Sequence, residues 1–229
     1  MDGVFVLIHS PLVGPLTWSR VAERLRQRGR EAVVPAVLGD DEPAHVAYWQ
    51  QEVESIRSQL TSVPRDRPVI LVGHSGAGAL LPAIGTMMPQ QVMSYVFVDA
   101  GLPHPGQTRL EEIRASASEL AEELQPHLAA GGRFPEWTGE DLRDEIPDDR
   151  TRVALLTELQ PRALDFFEEP LPLVPGWPDA PCSYIQLSPG YSAAAEAARH
   201  AGWPVQVFEA GHFHMLVDPA GVTEALLAI

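Results

Sequence analysis

Lysine is missing from this chain altogether, and cysteine occurs once, as Cys182. A single cysteine excludes an intrachain disulfide and a cysteine zinc cluster, and it fits a reducing, cytoplasmic compartment. Positive charge is scarce: 16 basic residues, all arginine, face 31 acidic ones, for a formal charge of −15. Such a surface repels phosphate backbones and anionic membranes, so nucleic-acid and membrane partners are excluded and a small-molecule or carrier-bound substrate is expected. Long apolar runs are also missing. The run Val4-Phe-Val-Leu-Ile-His9 is too short for an export signal or a membrane span and reads as a buried strand. No metal-ligand cluster, phosphate loop or dinucleotide fingerprint occurs, so no cofactor is expected. Arginine without lysine, with abundant alanine and proline, is the usage of a GC-rich bacterial genome.

What is present is enough apolar residue, 45% of 229 positions, to fill one sizeable core. Short apolar runs alternate with longer amphipathic ones, the pattern of βαβ units and a mostly parallel sheet. Strands are expected at Val4 to Ile8, Glu31 to Val34, Pro68 to Val72 and Val92 to Val98. Helices are expected at Trp18 to Gln27, Ala44 to Leu60 and Ala77 to Met87. From Gly101 to about Pro178 the alternation stops. Acids, prolines and three helical patterns (Arg109 to Leu124, Arg150 to Leu159, Arg162 to Phe167) mark an insertion, with Gly131 and Gly132 as a loop within it. The alternation resumes with strands at Ser183 to Leu187 and Val205 to Phe208 and helices at Ala193 to Ala201 and Val222 to Ile229. The reading is one domain over 1–229, with a core of 1–100 and 179–229.

Chemistry concentrates in Val69-Ile-Leu-Val-Gly-His-Ser-Gly-Ala-Gly78. A serine between small residues, after a strand and before a helix, is a nucleophile elbow: the turn is tight, and the following helix aims its amides at developing negative charge. Ala77 stands where glycine is usual. Serine is a weak nucleophile and needs a base. Phe208-Glu-Ala-Gly-His-Phe-His-Met-Leu-Val-Asp-Pro219, between the last strand and the last helix, supplies His212, with His214 the lesser choice. His45, His127 and His200 read as ordinary histidines; His9 and His104 are candidates to line the pocket, and His74 flanks the nucleophile.

The order Ser75 then His212, the elbow, the loop opening at His9 and the Ala210-Gly-His-Phe segment resemble the α/β-hydrolase superfamily, notably its compact plant methyl esterases and hydroxynitrile lyases. The resemblance implies an α/β fold, a mostly parallel sheet flanked by helices, with 101–178 as a helical cap. It also implies an acid just after the strand that follows the cap, yet that loop reads Ser188-Pro-Gly-Tyr191. Asp99, at the end of the preceding strand, resembles the alternative acid position and is expected to orient His212. Glu196 and Asp218 are fallbacks. In the oxyanion loop, Ser10 replaces the usual glycine and Pro11 occupies the position whose amide normally donates. Proline has no N–H, so Leu12, or the Ser10 hydroxyl, substitutes beside the Gly76 amide, or the chemistry does without.

Three functions follow. The first is hydrolysis or acyl transfer on a small ester, thioester or lactone by Ser75, His212 and Asp99. The second keeps the pocket but uses His212 as acid and base in a lyase, cyclase, decarboxylase or isomerase of natural-product metabolism. The third is ligand binding alone. Phe134, Trp137, Phe166, Phe167 and Trp177 are the cap aromatics able to line an apolar pocket.

Overall fold

The computed structural model describes residues 3–39, 46–104 and 106–229. Strand β1 (Val4–Ile8) is buried on both sides: Val4, Val6 and Ile8 enter one core, Phe5 and Leu7 the other. A strand apolar at every position belongs in the middle of a sheet covered on both faces, and β1 is placed so. The chain continues through α1 (Leu16–Gln27), β2 (Ala32–Val33), α2 (Tyr48–Gln59), β3 (Val69–Ser75), α3 (Leu81–Met87) and β4 (Val92–Ala100). Four helices follow, α4 (Arg109–Ser116), α5 (Ser118–Ala129), α6 (Asp149–Leu156) and α7 (Leu164–Glu168). Then come β5 (Cys182–Gln186), α8 (Ser192–His200), β6 (Val205–Val207), α9 (His214–Val217) and α10 (Pro219–Leu227).

All strand pairings are parallel, in the order β2-β1-β3-β4-β5-β6. One face packs on α2, α3 and α8 through Ile56, Leu81, Ile84 and Ala195. The other packs on α1, α9 and α10 through Trp18, Leu25, Met215, Val222 and Leu226. A third cluster, Leu110, Leu124, Leu128, Phe166 and Phe167 with Tyr48, holds the segment between β4 and β5 together.

The expected strands are all present within a few residues, and three helices depart from expectation. The element after the elbow begins as a 3₁₀ turn, Gly78–Leu80, before α3, whose first turn contains Pro82, where a missing N–H costs nothing. The stretch Arg109 to Leu124 is two helices, because the backbone at Ala117 (φ −147°, ψ 72°) leaves the helical region and lets α5 fold back on α4. The helix expected from Ala44 is seen from Tyr48 onward; Ala44 and His45 lie outside the described residues.

The topology sets the site. From β1 the chain steps to β2 on one side and to β3 on the other, so the loops after β1 and β3 part at the carboxyl ends of the strands and leave a crevice. His9 and Ser10 open the first loop and Ser75 ends β3.

Candidate active site

Ser75 and Asp99 are the only non-glycine residues with positive φ among the described residues, at +55° and +43°. Both sit at one irregularity: β3 and β4 run in register from Ile70–Ser94 to His74–Val98, then Ser75 pairs with Ala100, leaving Asp99 out of the ladder. Left-handed backbone costs an ordinary residue on the order of 1 kcal/mol or more. Here it turns two adjacent side chains out of the pleat at the strand ends. The elbow is tight enough that a Cβ on Gly78 would collide with the Gly101 carbonyl oxygen. Ala77 has ordinary helical dihedrals and is buried in the core, so this position has no need of glycine.

Asp99 is completely buried, and four donors converge on it. Its Oδ1 accepts from the amides of Leu187 (2.8 Å) and Ser188 (2.9 Å), and its Oδ2 from Ser188 Oγ (2.6 Å) and His212 Nδ1 (2.7 Å). A buried carboxylate needs such satisfaction, and donation from Nδ1 fixes the imidazole tautomer with Nε2 bare. The loop that lacks an acid therefore clamps the acid supplied by the neighbouring strand. Glu196 is exposed on α8 beside Arg199 and His200, and Asp218 caps α10 by accepting from the Gly221 amide at 3.0 Å, so neither fallback reaches His212. His214 begins α9 against Phe208.

His74 and His9 brace the site from within. His74 Nε2 donates to the His212 carbonyl oxygen (3.1 Å), and its ring lies 4.4 Å from that of His212. Burial, and then His212, hold the His74 pKa well below the usual range, so it stays neutral. His9 was expected to line the pocket and does not. Its Nδ1 donates to the Ser10 carbonyl (2.8 Å) and its Nε2 accepts from the Val37 amide (3.0 Å). Burial lowers its pKa to about 4. With both nitrogens on backbone, His9 is a strut for the loop after β1. His104 lies at a separate, smaller cavity.

The loop after β1 faces the elbow. The Leu12 amide donates to Ser10 Oγ (3.3 Å), which leaves the Ser10 proton free to point elsewhere. A Cβ built on Gly76 would lie 3.6 Å from Ser10 Oγ and 3.8 Å from Pro11 Cδ. The Ser10 hydroxyl and Gly76, the residue after Ser75, thus border the same space.

Above Ser75 is a cavity of about 290 Å³. Four of the five cap aromatics line it: Phe134, Trp137, Phe166 and Phe167, joined by Phe213. Trp177 does not; it packs against Tyr95, Phe97 and Trp203 under the sheet. Sequence reasoning missed four polar residues here: Ser188 and Tyr191, in the loop noted only for lacking an acid, and Arg109 and Glu112, one turn apart on α4. Arg109 pairs with buried Glu52 at 2.5 Å and stacks over Phe166. Their i, i+3 spacing gave the only hint.

Burial raises the Glu112 carboxyl to about 7, against the pull of Arg109. A folded-state pKa above the unfolded value means stability that is fully present below the unfolded pKa and is lost as pH rises through about 7. Glu112→Gln is therefore expected to stabilise the protein by on the order of 3 kcal/mol at pH 8 and to change little at pH 4. Calorimetric melting at the two pH values checks this, and an equal shift at both would refute the burial penalty.

No helix among the described residues is long and apolar enough to cross a membrane. Residues 5–225 match the model of the alpha/beta hydrolase family. The chain is 25% identical to the carbendazim hydrolyzing esterase of Nocardioides sp., over 98% of each. It is 24% identical to Methylesterase 8 of Arabidopsis thaliana, covering 98% of this chain and 88% of that one. An extracellular alpha/beta-hydrolase from a Paenibacillus species has the same fold, with a TM-score of 0.77 at 19% identity over 99% of this chain and 98% of that one. With the family matched over nearly its whole length, the chain belongs to the alpha/beta hydrolases and is an esterase-like enzyme of that family.

Proposed function

We propose that the protein hydrolyses small carboxylic esters through an acyl-enzyme on Ser75, with His212 as the base and Asp99 as the acid that orients it. The observation that carries this reading is the 2.7 Å bond from His212 Nδ1 to the buried Asp99 carboxylate, which stands at the end of β4 beside the end of β3 where Ser75 sits. An imidazole so held takes the Ser75 proton on Nε2 and returns it to the leaving group. The aromatic cavity and the methylesterases among the relatives favour a methyl ester of an aromatic acid. Intact mass after a serine-directed fluorophosphonate, with initial rates on p-nitrophenyl acetate, tests the reading. Labelling of one serine together with turnover supports it, and an unlabelled, inactive protein overturns it.

The oxyanion is stabilised by the Gly76 amide and the Ser10 hydroxyl, which takes the part that Pro11 cannot play. Leu12 is unsuited, since its amide is already spent on Ser10 Oγ. Ser10→Ala is expected to lower kcat by on the order of 10² to 10³ with KM little changed, as removal of one oxyanion donor does. Wild-type kcat in this variant would return the role to backbone alone.

A second reading, proton transfer by His212 in a lyase, cyclase, decarboxylase or isomerase, is favoured by the missing amide at Pro11. It predicts turnover that survives Ser75→Ala on a substrate with no bond to hydrolyse.

A further inference from the structure

Among the described residues, the hydrogen-bond partner of Ser75 Oγ is the Tyr191 hydroxyl, 3.2 Å away. The phenol ring lies nearly parallel to the His212 imidazole, 6° between planes and 5.1 Å between centroids. One side chain thus touches both residues between which the Ser75 proton travels. Tyr191 closes a 3₁₀ turn, Pro189–Tyr191, directly after Ser188, whose amide and hydroxyl are clamped to Asp99. The turn that grips the acid therefore also fixes the phenol. Burial first, then Glu112, raise the phenol far above the ordinary tyrosine range, while its bond to Ser75 lowers it. The hydroxyl keeps its proton at any working pH and is a neutral donor.

We propose that Tyr191 is a catalytic residue: its phenol donates a hydrogen bond to Ser75 Oγ and stabilises the negative charge on that oxygen as the acyl-enzyme bond breaks. The assignment rests on Ser75 being the nucleophile. In acylation, the Ser75 proton passes to His212 Nε2 while the Oγ–C bond forms and the carbonyl π pair moves to its oxygen. Return of that pair breaks the bond to the leaving alkoxide, which takes the proton from His212. In deacylation, water gives its proton to His212 as it attacks, and the intermediate collapses with cleavage of the C–Oγ bond. Oγ departs with the electron pair and recovers a proton from His212. Tyr191 transfers no proton in either half.

Position separates this donor from the oxyanion donors. Ser10 approaches from the β1 side of β3, and Tyr191 from the β5 side, against His212. A donor on Oγ helps this oxygen leave without reservation. On the attacking oxygen it both steadies the charge and weakens the nucleophile. Deacylation therefore gains more than acylation.

The test is rapid mixing of p-nitrophenyl acetate with wild type and Tyr191→Phe, with acid quenching and intact mass. Phenylalanine keeps the ring stacked on His212 and removes only the hydroxyl. In the variant, kcat is expected to fall on the order of 10-fold or more, KM to fall with it, and acetyl-enzyme to accumulate behind a burst of p-nitrophenol. Fluorophosphonate labelling of the variant to the wild-type extent shows an intact site. A kcat within twofold of wild type, or a fall without accumulated acyl-enzyme, overturns the assignment. If wild type itself is not labelled, the serine reading fails and takes this role with it; a labelled wild type with an unaffected variant removes the phenol's role alone.

Discussion

Ser75→Ala is expected to abolish labelling by a fluorophosphonate and to lower p-nitrophenyl acetate turnover by on the order of 10⁴-fold or more. The elbow gives the reason. Ser75 is held at φ +55° at the end of β3, so its Oγ leaves the pleat and borders the same cavity as His212. Alanine adopts the same backbone at similar cost and brings no oxygen, so the loss is chemical and the fold survives. The residual rate reports what Gly76, Ser10 and binding supply without a nucleophile. Turnover retained in this variant would transfer the chemistry to His212 acting alone.

Asp99→Asn is expected to lower kcat by on the order of 10⁴ while leaving the protein folded. Asn keeps the shape, and its carbonyl can accept from the Leu187 and Ser188 amides as Asp99 Oδ1 does. Its amide nitrogen then faces Ser188 Oγ and His212 Nδ1, where the carboxylate had accepted. A donor at that place requires Nδ1 to accept, which puts the imidazole proton on Nε2 and blocks the base. Parallel kinetics of Glu196→Gln and Asp218→Asn, each expected near wild type, separate this from a general loss of charge. A comparable loss in either variant, with Asp99→Asn active, would move the acid elsewhere.

The strands were readable because burial on both faces writes an unbroken apolar run, as in Val4 to Ile8, and local composition is enough to see that. Ser75 was legible as a candidate because an elbow needs small neighbours within four residues, whereas Asp99 was named from its resemblance to the alternative acid position of the superfamily. Helix breaks were not. Ala117 has no sequence feature that forbids continuation, and the chain turns there because α5 packs back on α4 and buries Leu124 and Leu128. His9 illustrates the opposite error. Its place at the mouth of a catalytic loop suggested the pocket, yet contacts to Ser10 and to Val37, the latter far along the chain, turn it into the interior.

The parallel sheet, the serine in its tight turn, the histidine loop before the last helix and the absence of an acid after Ser188 were legible along the chain, since each is local and bounded by a few residues' stereochemistry. Tertiary structure decided the rest: that Ser188 clamps Asp99, that Tyr191 meets both Ser75 and His212, and that Arg109 and Glu112 reach the cavity from α4. These pairings join residues from separate strands and loops across the sheet, and their distances depend on how strand ends converge in space, a relation that no spacing along the chain encodes.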